Sequence, residues 1–335
     1  MPFEILRNDI TKMVADAIVN TANPRPVIGE GTDSMIHQAA GPELLMARQR
    51  IGNIAPGAAA ITPAYALNAK YVIHTVGPVW NGGGYGETQQ LRSCYDVSLR
   101  LAAEHGCSSI AFPLISTGNY GFPKNKALQI AISAFSEFLL DHEMQIYLVV
   151  FDSVSVHFSE KLFQNIASFI DEHYVESYSF PKRERRRREE CPWETCAMAE
   201  PLPVYPTMAA PKAVSLQDML RQEDAGFTET LLKRIDKTGK KDSEIYKKAN
   251  LSKQHFSKIR NNPHYKPTKA TALALALALE LDLEQTKDLI GRAGYALTNS
   301  SKFDLIIRFH IENQIYNVME INLALYEFDQ PLLGA

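Results

Sequence analysis

Polar and apolar positions along the chain follow two regimes. Over residues 1–176, short apolar runs alternate with longer amphipathic stretches. Phe3–Leu6, Ala17–Asn20, Tyr71–Val76, Ser109–Pro113 and Gln145–Phe151 read as strands. Thr32–Ala40, Thr88–His105, Lys124–His142 and Val156–His173 repeat apolar residues at helical spacing. Strands bounded by amphipathic helices predict a three-layer α/β domain. From Ser215 the pattern turns helical. Ser215 is placed to cap Leu216–Arg221, Phe227–Ile235 follows, Asp242 is placed to cap Ser243–Ala249, and Ser252 to cap Lys253–Asn261. Ala272–Leu279 alternates Ala with Leu at a strand-like period. Both residues are strong helix formers, and Thr268 stands at a capping position, so a buried helix is expected there. Glu284–Ile290, Lys302–Glu312 and Ile315–Tyr326 complete an all-helical domain over 215–335.

Between the two regimes, residues 177–214 lose all periodicity. They carry Lys182-Arg183-Glu184-Arg185-Arg186-Arg187-Arg188 and prolines at 192, 201, 203, 206 and 211. That composition predicts a flexible basic, Pro-rich linker. Its arginine run is read either as a source of nonspecific phosphate affinity or as a solvated charged tract. A linker of this length predicts no rigid coupling between the domains unless they dock.

Size and composition narrow the class. A chain of 335 residues can build two cores, and 45% hydrophobic with 22% charged residues is ordinary for a globular protein. No apolar run reaches the ~18 residues of a membrane span, and Met1–Arg7 lacks the pattern of a secretory signal. Four scattered cysteines do not make a disulfide framework, so a reduced, cytoplasmic protein is expected. The net charge of −3 hides an asymmetry. Residues 1–176 hold 11 basic against 17 acidic side chains, whereas residues 231–270 hold 12 against 3. Only the second region suits a phosphate backbone.

Candidate chemistry in the first domain lies on loops that follow strands. In an α/β sheet, ligands sit outside the carboxyl ends of the strands. Asn8-Asp9-Ile10-Thr11 follows the first strand, Asn20–Asn23 the second, and Ser116-Thr117-Gly118-Asn119-Tyr120-Gly121-Phe122-Pro123 the strand ending at Pro113. Glycines at 29, 31, 118 and 121 let backbone amides approach a diphosphate closely. Tyr120 or Phe122 is available to cover a ribose or a base. Asn23 and Asp33, ten residues apart around a Gly-bearing loop, can present a carboxamide and a carboxylate to the same sugar. Taken singly, such a loop also fits simple turn chemistry, and an Asp at a helix start also fits a cap. His37 and His74 lack cysteine partners at zinc-ligand spacing and are assigned structural roles. Cys94 and Cys107 read as core or surface thiols, and no metal or cofactor is expected. Asn81-Gly82-Gly83-Gly84-Tyr85-Gly86 reads as a flexible surface connection, with a lid over substrate as the alternative.

These segments together resemble the macrodomains, a family of ADP-ribose-binding modules. Asn8-Asp9-Ile10-Thr11 resembles the family's Gly-Asp-Ile-Thr, residues 18–41 its central Asn/Gly/Asp block, Tyr71–Pro78 a further family segment, and residues 113–123 its second phosphate loop. The resemblance spans the first domain in the expected order. It implies that Asp9, with Ile10 beside it, contacts the adenine. The amides around Gly29, Glu30, Gly31 and Thr32, and those from Ser116 through Thr117, Gly118 and Asn119 to Tyr120, would hold the diphosphate. Asn23 would contact the distal ribose, and Asp33 matches the acid of the hydrolytic branch that resembles O-acetyl-ADP-ribose deacetylases and mono-ADP-ribosyl hydrolases. The implied ligands are ADP-ribose, O-acyl-ADP-ribose or an ADP-ribosylated protein. The sequence departs from the pattern at Ile28-Gly29-Glu30-Gly31-Thr32, where the family has a longer glycine run, and at Asn8. Glu30 weakens anion binding if it points inward and changes little if it points to solvent. Ester hydrolysis and ligand sensing without turnover therefore both stand.

In the second domain, Asp242–Asn262 reads as helix, turn, helix. Ile245, Tyr246, Ala249, Leu251, Phe256 and Ile259 would form its core, leaving Lys253, Gln254, Ser257, Lys258 and Asn261 on the outer face. Those side chains suit phosphate and base-edge contacts in a major groove. The unit resembles the helix-turn-helix of lambda-repressor-like DNA-binding domains, which implies DNA binding, usually as a homodimer. The alternative is a helical interaction domain whose basic face is simply solvated. The apolar helices 304–315 and 315–326 fit either a dimer interface or completion of the core.

Overall fold

The computed structural model describes residues 2–150, 160–173 and 225–334. The linker at 177–214, the helix expected at 216–221 and the segment 151–159 lie outside the described residues.

Six strands form one sheet: β1 (Phe3–Arg7), β2 (Ala17–Thr21), β3 (Ala59–Pro63), β4 (Tyr71–Thr75), β5 (Ser109–Pro113) and β6 (Gln145–Val150). Their order is β1-β6-β5-β2-β4-β3, parallel except for the antiparallel β3–β4 pair at one edge. The five expected strands all form. β3 had no strand reading, because Ala59-Ala60-Ile61-Thr62-Pro63 is short and poor in β-formers. It forms because β4 offers it a ladder from Ala59–Thr75 to Pro63–Tyr71.

Helices α1 (Thr32–Ala40), α2 (Pro42–Ile51), α3 (Glu87–Glu104) and α4 (Lys124–Asp141) cover this sheet. Ile36, Ala40 and Leu44 of α1 and α2 pack with Ile18 and Val72 on one face. Leu91, Tyr95 and Leu99 of α3 and Leu128, Ile132 and Phe135 of α4 pack with Val19, Ile73 and Phe112 on the other. The chain thus leaves β2 toward one face and β5 toward the opposite face, although the two strands are neighbours. Their pairing covers only Ala17–Ile110 and Ile18–Ala111, so the ladder ends before their carboxyl termini. Such a switch point opens a crevice at the strand ends.

The second region contains α6 (Phe227–Thr238), α7 (Asp242–Lys248), α8 (Lys253–Asn261), α9 (Lys269–Ala278), α10 (Leu283–Gly291), α11 (Lys302–Glu312) and α12 (Val318–Glu327). α5 (Glu160–His173) lies between the two regions in sequence. Ser252 and Thr268 cap α8 and α9, accepting from the amides of His255 and Thr271. Asp242 does not cap α7. It lies in the first turn, the N-cap is Lys241, and the Asp242 carboxylate pairs instead with Arg260 of α8. α9 is buried from Thr271 to Ala278, which explains a sequence with no polar face there. α5 departs from the expected division at residue 176. Its Ile166 and Ile170 join the helical core, and its Phe169 meets Phe309 of α11 at 5.4 Å.

The two regions dock directly. Met319 and Leu323 of α12 belong to the same apolar cluster as Phe3, Ile146 and Phe135. Tyr246 donates to Glu143 Oε1 at 2.9 Å, and Lys247 Nζ reaches the Leu140 carbonyl at 2.7 Å. Asn250, in the turn after α7, closes the free edge of β1. Its Oδ1 accepts from the Phe3 amide and its Nδ2 donates to the Phe3 carbonyl, both at 3.0 Å. Asn250 has φ of +56°, a conformation Asn adopts more readily than most residues. An Asn250→Gly substitution keeps that backbone available and leaves both Phe3 groups buried without partners. It is expected to lower unfolding stability by about 2–4 kcal/mol in urea melts; a change within ~0.5 kcal/mol would show that the edge pairing contributes little.

Candidate functional site

The loops leaving the carboxyl ends of β1, β2, β4 and β5, with the last residues of β6, line a pocket of about 460 Å³. It is lined by Asn23, Gly29, Glu30, Gly31, Thr32 and Asp33 from the first loop and by Ser116, Thr117, Gly118, Asn119 and Tyr120 from the second. Ile10 and Asn8 border it beside Val149 and Val150. Every expected ligand contact of the first domain is therefore brought together except Asp9. Asp9 caps the 3-10 turn Ile10–Lys12, its Oδ1 accepting from the Thr11 amide at 3.0 Å and the Thr11 hydroxyl at 2.7 Å. Lys253, Gln254, Ser257 and Lys258, expected from the sequence to contact DNA, lie on α8, outside this pocket and exposed.

Two anion-seating features converge on the pocket. α1 opens after Gly31, whose φ of +65° suits glycine, and no side chain caps it. Its first-turn amides are the free donors that favour a phosphate. In the second loop, Ser116 holds φ of +64°, a sparsely populated conformation for a residue with a Cβ. Its hydroxyl is buried without a partner among the described residues. It lies against Gly77, where a Cβ would stand 2.0 Å from Oγ. The loop closes on itself through Phe122 N–H to Ser116 O at 3.0 Å and Gly121 N–H to Gly118 O at 2.9 Å. Glu30 is exposed, yet it also has a partner on the second loop. Its Oε2 accepts from Asn119 Nδ2 at 2.9 Å and so joins the two loops across the mouth.

Asp33 organises the opposite end. Its side chain is buried, Oδ1 accepting from Asn20 Nδ2 at 2.6 Å and Oδ2 from the Gly29 amide at 2.5 Å. Asn20 Nδ2 also meets His74 Nδ1 at 3.2 Å, and His74 Nε2 meets Thr62 Oγ1 at 3.0 Å. A donor on Asn20 requires His74 Nδ1 to accept, which assigns the proton to Nε2 and the Thr62 contact to its donation. Burial, reinforced by the charge of Arg48 and by His37, pushes His74 down to about 3, so it stays neutral at pH 7. His37 Nε2 lies 3.6 Å from Asp33 Oδ1. Burial also pulls His37 below its ordinary value, against the opposing effect of Asp33.

Asn20, Arg48, Gly77 and Lys124 carried no assignment in the sequence. Asn20 was visible as the first polar residue after the apolar run Ala17–Val19. Arg48 is buried on α2 and donates to the carbonyls of Asn23 at 3.0 Å and Pro24 at 3.3 Å and to that of Gly52. It fixes the backbone from which the Asn23 side chain projects. Nothing local distinguishes it from the other arginine of α2, Arg50. Lys124, the first residue of α4, is the one cation among the described residues that line the pocket.

Gly29 is packed tightly between Asn23 and Asp33. A Cβ there would stand 2.7 Å from Asn23 Nδ2 and 3.2 Å from Asp33 Oδ2. Gly29→Ala is therefore expected to displace Asn23 and loosen the Asp33 contact. Calorimetry with ADP-ribose should show affinity about tenfold weaker or worse, equivalent to ~1.4 kcal/mol. Wild-type affinity in the variant would mean that the loop absorbs the extra methyl.

The model of the Macro domain family matches residues 19–131. A macro domain-containing protein of Chlorobaculum tepidum is 52% identical over 146 residues, 44% of this chain and 84% of that protein. An O-acetyl-ADP-ribose deacetylase of Escherichia coli K12 is 48% identical over 164 residues, 47% of this chain and 93% of that protein. Among solved structures, an Oceanobacillus iheyensis macrodomain is 36% identical, covering 50% of this chain and 93% of that one at a TM-score of 0.46. Through its first domain, this chain belongs to the macro domain family.

Proposed function

We propose that the first domain binds ADP-ribose or an O-acyl derivative and hydrolyses the ester linking the acyl group to the distal ribose. The observation that carries this reading is the convergence of two amide-bearing loops with the Asn23–Asp33 pair on a single pocket. The deacetylase of Escherichia coli, 48% identical over 93% of its length, supports the reaction type. In this reading the base lies toward Ile10 and Asn8, with Asp9 at the margin. The diphosphate rests on the α1 amino terminus and the Ser116–Tyr120 loop, with Lys124 adding counter-charge. Asn23 orients the ribose hydroxyls. Each Asp33 oxygen keeps a second lone pair after serving Asn20 and Gly29, so the carboxylate can orient a water. That water attacks the acyl carbon as a substrate phosphate oxygen takes its proton; the phosphate then returns the proton to the ribose oxygen as the acyl C–O bond breaks, releasing the ribose hydroxyl and the acyl group as a carboxylic acid.

The test is turnover of O-acetyl-ADP-ribose, and of a glutamate-ADP-ribosylated protein, by the whole chain. Wild type should release ADP-ribose, and Asn23→Ala should lower kcat/KM by about 100-fold through misplaced geometry. Calorimetric binding of ADP-ribose by wild type without any turnover would overturn hydrolysis and leave a sensor.

A second reading concerns α8. Lys253, Gln254, Ser257, Lys258 and Asn261 are all exposed, while Phe256 and Ile259 are buried on the opposite face. We propose that this face contacts DNA in helix-turn-helix fashion, making the chain a ligand-responsive regulator. Gel shifts with genomic fragments should show salt-sensitive binding, weakened about tenfold or more when Lys253→Ala and Lys258→Ala are combined. Absence of salt-sensitive binding by wild type would refute it.

A further inference from the structure

The glycine-rich segment 81–86 is neither a free surface connection nor a part of the pocket lining. It folds around one carboxylate. Glu87, the buried first residue of α3, accepts from the amides of Asn81 at 3.0 Å and Gly83 at 3.2 Å through Oε1. Its Oε2 accepts from the Tyr85 amide at 2.7 Å. Three amides converging on one acid make an anion nest filled by the protein's own side chain. Gly82, Gly83 and Gly86 hold φ of +99°, +89° and +77°, which explains why the wrap uses glycine. Its own backbone amide first, and then those of Tyr85, Asn81 and Gly83, hold the Glu87 carboxyl below the usual range.

The residue before this segment is Trp80, and it connects the wrap to the second phosphate loop. The Trp80 amide donates to the Tyr120 carbonyl at 2.8 Å. The indole meets Phe122 edge-on with centroids 4.7 Å apart. Gly83 presses on the other part of the ring, since a Cβ there would stand 2.8 Å from Cη2. Lys126 of α4 lies 5.0 Å from the ring centroid, a cation–π distance. Phe122 is buried, and its own amide closes the loop on Ser116. Trp80 is thus gripped on one side by the Glu87-centred wrap and grips on the other the loop that holds Ser116 in its rare conformation.

We infer that Trp80 is a positioning residue for the Ser116–Tyr120 loop, and that Glu87 acts through it by fixing the segment that packs on its ring. This rests on the reading that the loop seats the ligand diphosphate. Neither residue lines the pocket. Their effect is therefore on how well the loop amides are preorganised for the diphosphate, which belongs to binding rather than to bond breaking.

Trp80 and Trp193 are the two tryptophans of the chain. In Trp193→Phe protein, titration with ADP-ribose should shift or quench Trp80 emission saturably, at the same concentrations that calorimetry reports for binding. Trp80→Ala should weaken ADP-ribose binding and raise KM for O-acetyl-ADP-ribose by about tenfold, with kcat within about twofold of wild type. Trp80→Phe, which keeps an aromatic ring against Phe122, should recover most of the loss. Glu87→Gln should shift KM in the same direction by a smaller factor, because its amide nitrogen faces backbone donors. An unfolded Trp80→Ala leaves the Trp80 titration and Glu87→Gln to decide. Wild type that binds no ADP-ribose would overturn the reading of the pocket itself. Wild type that binds, with unchanged Trp80 emission and with affinity untouched in the folded variants, would overturn this inference alone.

Discussion

The carboxylate of Asp33 is the contact on which the site depends. A buried carboxylate is costly unless its lone pairs are met. Here one oxygen is met by Asn20 on β2 and the other by the Gly29 amide. These two bonds join a strand end, a loop and the start of α1 into a single geometry. That geometry leaves the α1 amides uncapped and facing the crevice. Behind it, His74 stays neutral and orients Asn20, while Arg48 holds the Asn23 backbone. The ligand-facing side of the loop is thus shaped from beneath by residues that do not touch the pocket.

The same division of labour extends through the sheet. β5 and β2 are neighbours whose chains leave toward opposite faces, so the crevice follows from topology, and the loops supply its chemistry. The helical region grips the far ends of the elements that border one side of this crevice. Asn250 holds Phe3 at the start of β1, whereas Asn8 borders the pocket beyond its end. Leu140 and Glu143 meet α7 at the end of α4 and beyond, whereas Lys124 at its start lines the pocket. The basic face of α8 and the pocket therefore sit on one continuous packed body.

Much of this was legible in the chain. Apolar periodicity located five of the six strands, and glycine placement together with the Asn23–Asp33 spacing located both loops. What escaped detection depends on distant partners. β3 forms only because β4 templates it. Arg48 matters only because carbonyls from residues 23, 24 and 52 converge on it. Glu87 drew no reading, since the expected helix began at Thr88, and the glycines before it read as a flexible connection; the wrap exists only when three amides turn inward together. Asp9 has a local partner that its place in the sequence did not announce, its Oδ1 capping the turn through Thr11.

The most direct measurement is calorimetric binding of ADP-ribose to Asp33→Asn protein. An amide at this position places an NH2 group against either Asn20 Nδ2 or the Gly29 amide, so one donor loses its acceptor. The account predicts affinity at least about tenfold weaker than wild type, a cost of ~1.4 kcal/mol or more. Affinity equal to wild type would contradict it, and would confine Asp33 to the chemical step.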